Sequence, residues 1–384
     1  MGTRLQIFLS YAFRPFFLLN GVFAVIVMGI WLMAVHGPLS ITASMMLWHG
    51  HEMLVGFAMA VVAGFVLTAV ATWTGRPPLA GGRLGLLVVA WLLGRLTMMF
   101  AFRFPVGFNA AMDLLFPILL CLFVAQEVIG SGNRRNYPIV VITALFAAFD
   151  VTYHLGVAGL LPGADRLAVY MLLHLLLLLI TVIGGRIVPN FTANWLKARG
   201  GTRLPKSYRA IEVTVIVLTV VTSLSITFDP YSLVTGWLAA AAALTHALRL
   251  FFWRGLSTWS DPLMFVLHAA YAWLPIGYAL TALAIFGLWF TPPAALHALA
   301  MGGIGGMILA MTTRVALGHT GRKLHAARLT VIAYWLFNIA VIVRMLGYFS
   351  NSYMFSIDLA ATGWIVSFML FLWVYWPILT RPPE

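Results

Sequence analysis

The sequence predicts an all-α polytopic membrane protein, a bundle of about twelve transmembrane helices with both termini in the cytoplasm. Three observations predict it. Of 384 residues, 62% are hydrophobic and only 9% charged, against roughly 25% charged in an ordinary soluble domain. The apolar residues fall in runs of about 20, the length at which a helix rising about 1.5 Å per residue crosses the hydrocarbon core. The cations fall on alternate loops, which fixes an orientation.

Pro, Gly and charge clusters divide the chain, and each run between them must be helical, because lipid offers no partner for free backbone N–H and C=O groups. The first run, 16–35, follows Arg4 and Arg14 without the short apolar region and small-residue cleavage pattern of a signal peptide, so it is read as a retained span. The second, 45–72, stops at "TGRPP", the third, 84–101, at "FRFP", and the fourth, 107–130, at "GSGNRRN". The fifth and sixth, 138–160 and 166–188, are parted by "LLPGAD", and a basic loop near 189–207 precedes the seventh, 208–228. Five more runs follow at 232–252, 263–288, 294–317, 326–348 and 357–379. Alternating the loops between two sides places 19 of the 23 cations on one face, which the positive-inside rule makes cytoplasmic. With no soluble domain, low-complexity tract or internal repeat, residues 1–384 are expected to form a single membrane domain.

The net charge of +13 reports this orientation rather than a nucleic-acid surface, because the basic residues are scattered among apolar runs. A lone cysteine, Cys121, excludes disulfides, cysteine-rich zinc sites, iron–sulfur clusters and covalent haem attachment. Any metal site must come from histidine and carboxylate.

Orientation gives every intramembrane polar residue a depth. Counting along the helices gathers His49, His51, His154, His174 and His297 into the outer third of four spans. The four cations outside the inside rule, Arg95, Arg103, Arg166 and Arg344, fall in the outer half or on the outer surface, and Glu52 and Asp113 lie in the outer third. Ionisable groups in lipid cost several kcal/mol unless paired or facing a cavity, so the grouping marks a functional centre. A second, looser set, His246, His268, His319 and His325, lies toward the cytoplasm.

The stretch "WHGHEM" (48–53) has its own geometry. Residues i and i+2 of a regular helix point about 200° apart, so His49 and His51 are expected to serve two sides of a centre rather than one metal. Glu52, three residues after His49, shares its face and is expected to accept the second N–H of that imidazole. Imidazole suits zinc, copper, iron and nickel, and histidines converging in an apolar bundle suit haem with or without copper. The outer arginines suit haem propionates. Gly302, Gly303, Gly305 and Gly306 make a flat face that admits a macrocycle or another helix equally well. Asp150 and His154, at i,i+4, read as a mutually satisfied pair or a proton relay.

The blocks "FRPFF" (13–17), "WHGHEM", "GFVLTAVATWTGRP" (64–77), "IGGRIVPNFT" (183–192), "LHAAYAWLPIG" (267–277) and "HALAMGGIGGMILAMTTRVALGHTGR" (297–322) resemble the NnrS family. One departure is Thr72, where an asparagine is expected before the tryptophan. The resemblance implies a twelve-span, multi-pass protein of the bacterial inner membrane, containing non-covalent b-type haem and copper and acting in nitric oxide metabolism and nitrosative-stress protection. The histidines in the matching blocks are His49, His51, His268, His297 and His319. His174 joins the metal set by depth alone, and His268 and His319 fit the outer site poorly because depth counting puts them toward the cytoplasm.

The expected centre therefore uses His49, His51, His174, His268, His297 and His319 as metal ligands. Glu52 is its catalytic base or proton donor, and Arg95, Arg344, Gly302 and Gly306 are cofactor-binding residues. Its expected partners are nitric oxide or another small diatomic molecule, the lipid bilayer, and quinol or an electron-donor protein, with no nucleic acid. Whether it is an oxidoreductase acting on nitric oxide stays open. Two other classes compete: a histidine-lined copper transporter, and a sensor or protective factor that binds haem without turnover.

Overall fold

A computed structural model describes residues 4–37, 39, 41–42, 44–349 and 352–384. The described residues form helices and no strand, and twelve helices are long and apolar enough to span a membrane. They are Phe13–His36, Met45–Thr74, Gly81–Met99, Val106–Gly130, Arg134–Val157, Ala164–Lys197, Arg209–Phe228, Leu233–Phe252, Pro262–Ile285, Pro292–His319, Arg328–Phe349 and Tyr353–Thr380. The twelve-span count read from hydropathy is the count observed, and the chain is a multi-pass membrane protein.

The sixth helix runs past the expected stop at 188 to Lys197, carrying Pro189 inside it. A proline breaks an ordinary helix by lacking an N–H and crowding the carbonyl four residues back. Here a wide π-helical turn, Ile180–Gly184, loosens the ladder just before it. Two further π turns, Glu52–Ala58 and Ala298–Gly305, directly follow His51 and His297. Such turns cluster at functional sites because they re-aim the side chains that follow.

The chain divides into two compact units. The first comprises Met1–Leu172, Val315–Arg322 and Phe371–Glu384. Ser44 caps the second helix by accepting from the Leu47 N–H, and Gly75 ends it in the left-handed conformation (φ 68°) that favours glycine. Gly64 lets the first helix lie close, since a Cβ there would meet the Phe17 ring at 2.9 Å. The third and fifth helices each pack along the fourth. Arg14 is buried and donates to the carbonyls of Leu379 (2.9 Å) and Arg381 (2.8 Å), satisfying groups that a helix end otherwise leaves unpaired.

The second unit comprises Leu173–Arg314 and Lys323–Leu370. Its seventh and eighth helices form a hairpin capped by Ser232, and the ninth packs along the eighth. Asp261 caps the ninth helix by accepting from the Leu263 and Met264 N–H groups, with Pro262 in the first turn where no donor is needed. The glycine face of the tenth helix lies against aromatic rings: a Cβ on Gly302 would meet Trp273, and one on Gly305 would meet Trp364 and Phe337.

Candidate metal centre

In the first unit, six ionisable side chains from four helices meet with no more than 5% exposure each: His51 and Glu52 from the second helix, Arg95 from the third, Asp113 from the fourth, Asp150 and His154 from the fifth. Glu52 and Asp113 follow the starts of their helices, Met45 and Val106, by equal numbers of residues, and Asp150 precedes the end of its helix, Val157, by the same number. Equal offsets put the three carboxylates at one depth, about 10 Å from the helix ends at about 1.5 Å per residue.

Both ring nitrogens of His51 face carboxylates. Its Nδ1 lies 3.0 Å from Glu52 Oε1, and its Nε2 lies 2.8 Å from Asp150 Oδ1 and 3.3 Å from Asp113 Oδ2. His154 Nε2 lies 2.9 Å from Asp113 Oδ2 and 3.9 Å from Asp150 Oδ1. Arg95 bridges two of the acids, donating from Nη1 to Glu52 Oε1 at 2.6 Å and from Nη2 to Asp113 Oδ1. Tyr153 stacks on the His51 ring at 4.1 Å and 20°, closing its face.

Small residues make room for the guanidinium. A Cβ on Gly56 would meet Arg95 Nη1 at 2.8 Å, and one on Gly94 would meet Asp113 Oδ1 at 2.8 Å. Trp91 holds the π turn open by donating to the Gly56 carbonyl at 3.0 Å. One ligand atom each from His51, Asp113, Asp150 and His154 lie within 4.8 Å of one another, so these four residues could hold a metal ion.

A model of the family described as NnrS protein matches residues 7–382. The chain belongs to the NnrS family. No curated protein matches it.

In this NnrS-family chain the residues named from sequence go to several places. His51, Glu52 and Arg95 enter the buried cluster, together with Asp113. His49 points elsewhere and stacks on Trp31 at 4.3 Å, as the i,i+2 spacing requires. The imidazole N–H expected to reach Glu52 was that of His49; the nitrogen that meets this carboxylate is Nδ1 of His51. The physical reason is Arg95, whose guanidinium draws Glu52 to the side of the helix where His51 lies. Asp150 and His154 are likewise not a self-contained pair, because each has a nearer partner, His51 and Asp113 respectively. His319 packs against Phe13 at 5.6 Å in the same unit.

The second unit holds the other named residues. His297 Nδ1 lies 2.8 Å from the Pro293 carbonyl. A carbonyl only accepts, so Nδ1 carries the proton and Nε2 keeps its lone pair. Arg344 donates to the hydroxyls of Tyr348 (2.9 Å) and Tyr353 (3.1 Å), while its buried Nη1 has no partner among the described residues. His174 is 4% exposed and neither ring nitrogen has a partner among the described residues. His268 Nε2 lies 2.8 Å from Thr192 Oγ1. Gly302 and Gly306 lie against Trp273 and Ala270.

Sequence reasoning missed a further network in this unit, around His246. Thr219 donates to the Val215 carbonyl (2.7 Å), so its oxygen accepts from His246 Nε2 (3.0 Å). His246 Nδ1 then accepts from the Tyr271 hydroxyl (2.8 Å), whose oxygen accepts from Arg249 Nη1 (3.0 Å). Arg249 also pairs with Glu212 and donates to the Thr181 carbonyl. The available signal was Arg249 and His246, three residues apart on one helix face, with Glu212 near the start of the preceding helix.

Proposed function

We propose that the protein is a haem- and copper-containing component of the nitric oxide response in the bacterial inner membrane, with both termini cytoplasmic, that binds nitric oxide and metabolises it. The observation that carries the reading is His174. An imidazole with two unpartnered nitrogens in an apolar core forgoes hydrogen bonds worth about 1–3 kcal/mol, and such a group calls for a ligand. His297 supports it independently, because an Nδ1–H held by a carbonyl is the arrangement that presents Nε2 to a metal.

These residues fit haem. His174 and His297 would each present an imidazole to the haem, one of them holding the iron, and Arg344, with its unpartnered Nη1, would take a propionate. A ferrous haem with one open face supplies nitric oxide binding. The chain's own contribution is to exclude water around His174 and to fix the tautomer of His297 through Pro293. The cluster around His51 fits the second metal through its imidazoles, with Glu52 as the proton-holding group beside it. Electrons for turnover would come from quinol or a donor protein.

The test is an anaerobic optical spectrum of the purified, reduced protein, with and without nitric oxide, followed by a measurement of nitric oxide consumption. A Soret band that shifts with nitric oxide is expected, with gas consumed when reductant is supplied. Metal flux in proteoliposomes without a Soret band would establish the transporter class instead. Haem binding without consumption would leave a sensor or protective factor.

A further inference from the structure

We propose that His51, His154, Asp113 and Asp150 form a buried site for one divalent transition-metal cation bound through nitrogen and oxygen. The inference rests on the reading that the chain carries a second metal besides haem, and it names that metal's ligands and class. Two of the ligands, Asp113 and Asp150, are carboxylates, and His154 lies on a different helix from the His-x-His pair.

Charge is the first argument. Three carboxylates, Glu52, Asp113 and Asp150, share a fully buried pocket with one guanidinium, Arg95. With both imidazoles neutral, the form in which they ligate metals, two negative charges are left over. Each uncompensated charge away from water costs several kcal/mol. A dication balances the pocket, whereas a monovalent ion leaves it negative.

Donor chemistry is the second. Two imidazoles and two carboxylates are borderline-to-hard ligands of the kind that hold iron(II), manganese(II), zinc(II) or copper(II). Copper(I) prefers thiolate and thioether, and Cys121 is the chain's one cysteine.

Two further observations point to a ligand rather than to a self-satisfied network. Asp150 Oδ2 and Glu52 Oε2 are buried and have no hydrogen-bond partner among the described residues. Glu52 also takes His51 Nδ1, so His51 Nε2 is presented between Asp113 and Asp150. A carboxylate behind a histidine is how proteins fix the tautomer and raise the basicity of a metal-ligating imidazole.

The full chain, purified in detergent and stripped with a chelator, is loaded anaerobically with iron(II), manganese(II), zinc(II), copper(II) or copper(I) in turn. Metal per chain is read by elemental analysis after gel filtration, and haem per chain by absorbance in the same samples. The expected result is one divalent ion per wild-type chain and a fall in affinity of at least about tenfold in Asp150→Asn and His154→Gln, with haem per chain unchanged. Loss of haem binding alone would sink the haem reading and leave this site standing. Wild-type protein that takes none of the four divalent ions, or takes only copper(I), overturns the proposal, as do variants that load like wild type. Should both variants fail to fold, X-ray absorption of the iron-loaded wild type decides. A nitrogen and oxygen shell with imidazole scattering supports the site, and a sulfur neighbour refutes it.

Discussion

His51 and Asp150 are 99 positions apart in the chain and 2.8 Å apart in the fold, both fully buried. The contact joins the second helix to the fifth, and its surroundings are ionic: Asp113 reaches the same imidazole nitrogen, and Arg95 reaches Asp113. A group of this kind survives in an apolar bundle only when every member is neutralised by its neighbours or by a bound cation. The stability of the first unit is therefore tied to this cluster.

Among the described residues, Arg95 is the single permanent cation there. Arg95→Met strips Glu52 and Asp113 of their counterion, and breaking a buried pair in this way costs about 3–5 kcal/mol. Arg95→Lys should recover only part of the loss, because an ammonium lacks the planar fork that reaches two carboxylates at once. Thermal unfolding in detergent, followed by helical circular dichroism, should rank wild type above Lys and Lys above Met. Equal melting of Met and wild type would contradict the ion pairing described.

Gly94 and Gly56 test the same cluster from the backbone side. An added methyl on Gly94 meets Asp113 Oδ1 and the Asp113 backbone, and one on Gly56 meets Phe23 and Arg95. Overpacking of this sort costs about 1–3 kcal/mol. Gly94→Ala and Gly56→Ala should lower the melting temperature, whereas Gly29→Ala, with nothing within 4 Å of the added carbon, should not. An unchanged melting temperature in all three would show that the helices are set further apart.

The span count was legible because hydropathy and helix length answer to one solvent, and the rotation of His49 away from His51 was legible because it is a local property of helix geometry. The partners of His51 were not, since they depend on how four helices are turned about their own axes. Depth narrowed the field: Glu52, Asp113 and His154 were all placed at the same level. Asp150 does lie 3.9 Å from its i+4 neighbour His154, as the spacing suggests, but its nearer partner, His51 at 2.8 Å, has no local signal in the sequence. The signal that could have recovered that pairing is the offset of Asp150 from Val157, equal to those of Glu52 from Met45 and Asp113 from Val106. The π turns left no trace in the hydropathy, because they change register without changing composition.

The hydrogen bonds around His246 run in one direction, from Arg249 through Tyr271 and His246 to Thr219. Tyr271→Phe removes the middle member and leaves His246 Nδ1 buried and unpaired, at a cost of about 1–3 kcal/mol, while Arg249 Nη1 keeps the Thr181 carbonyl. Tyr278 is equally buried and stacks on His246 at 5.4 Å, but its hydroxyl has no geometrically sound partner among the described residues. Tyr278→Phe should be near neutral. Parallel melting curves of the two variants check this, and a larger loss at Tyr278 would reverse the reading.

His174 separates a structural role from a ligand role, because the two predict opposite signs. In haem-free protein, His174→Leu replaces an imidazole with no hydrogen bonds by an apolar side chain of similar volume. Removing that desolvation penalty should stabilise the chain by about 1–2 kcal/mol. In haem-loaded protein the same change should abolish or sharply reduce the Soret absorbance per chain. His297→Leu differs: it loses the hydrogen bond to the Pro293 carbonyl, worth about 0.5–1.5 kcal/mol, and so should destabilise the haem-free form while also lowering haem content. Melting temperature of the haem-free form and Soret absorbance, measured on wild type and both variants, give four independent comparisons. If both variants keep the wild-type Soret band, neither histidine ligates haem. Should His174→Leu lower the stability of haem-free protein, the imidazole is making hydrogen bonds after all, and its claim on a ligand lapses.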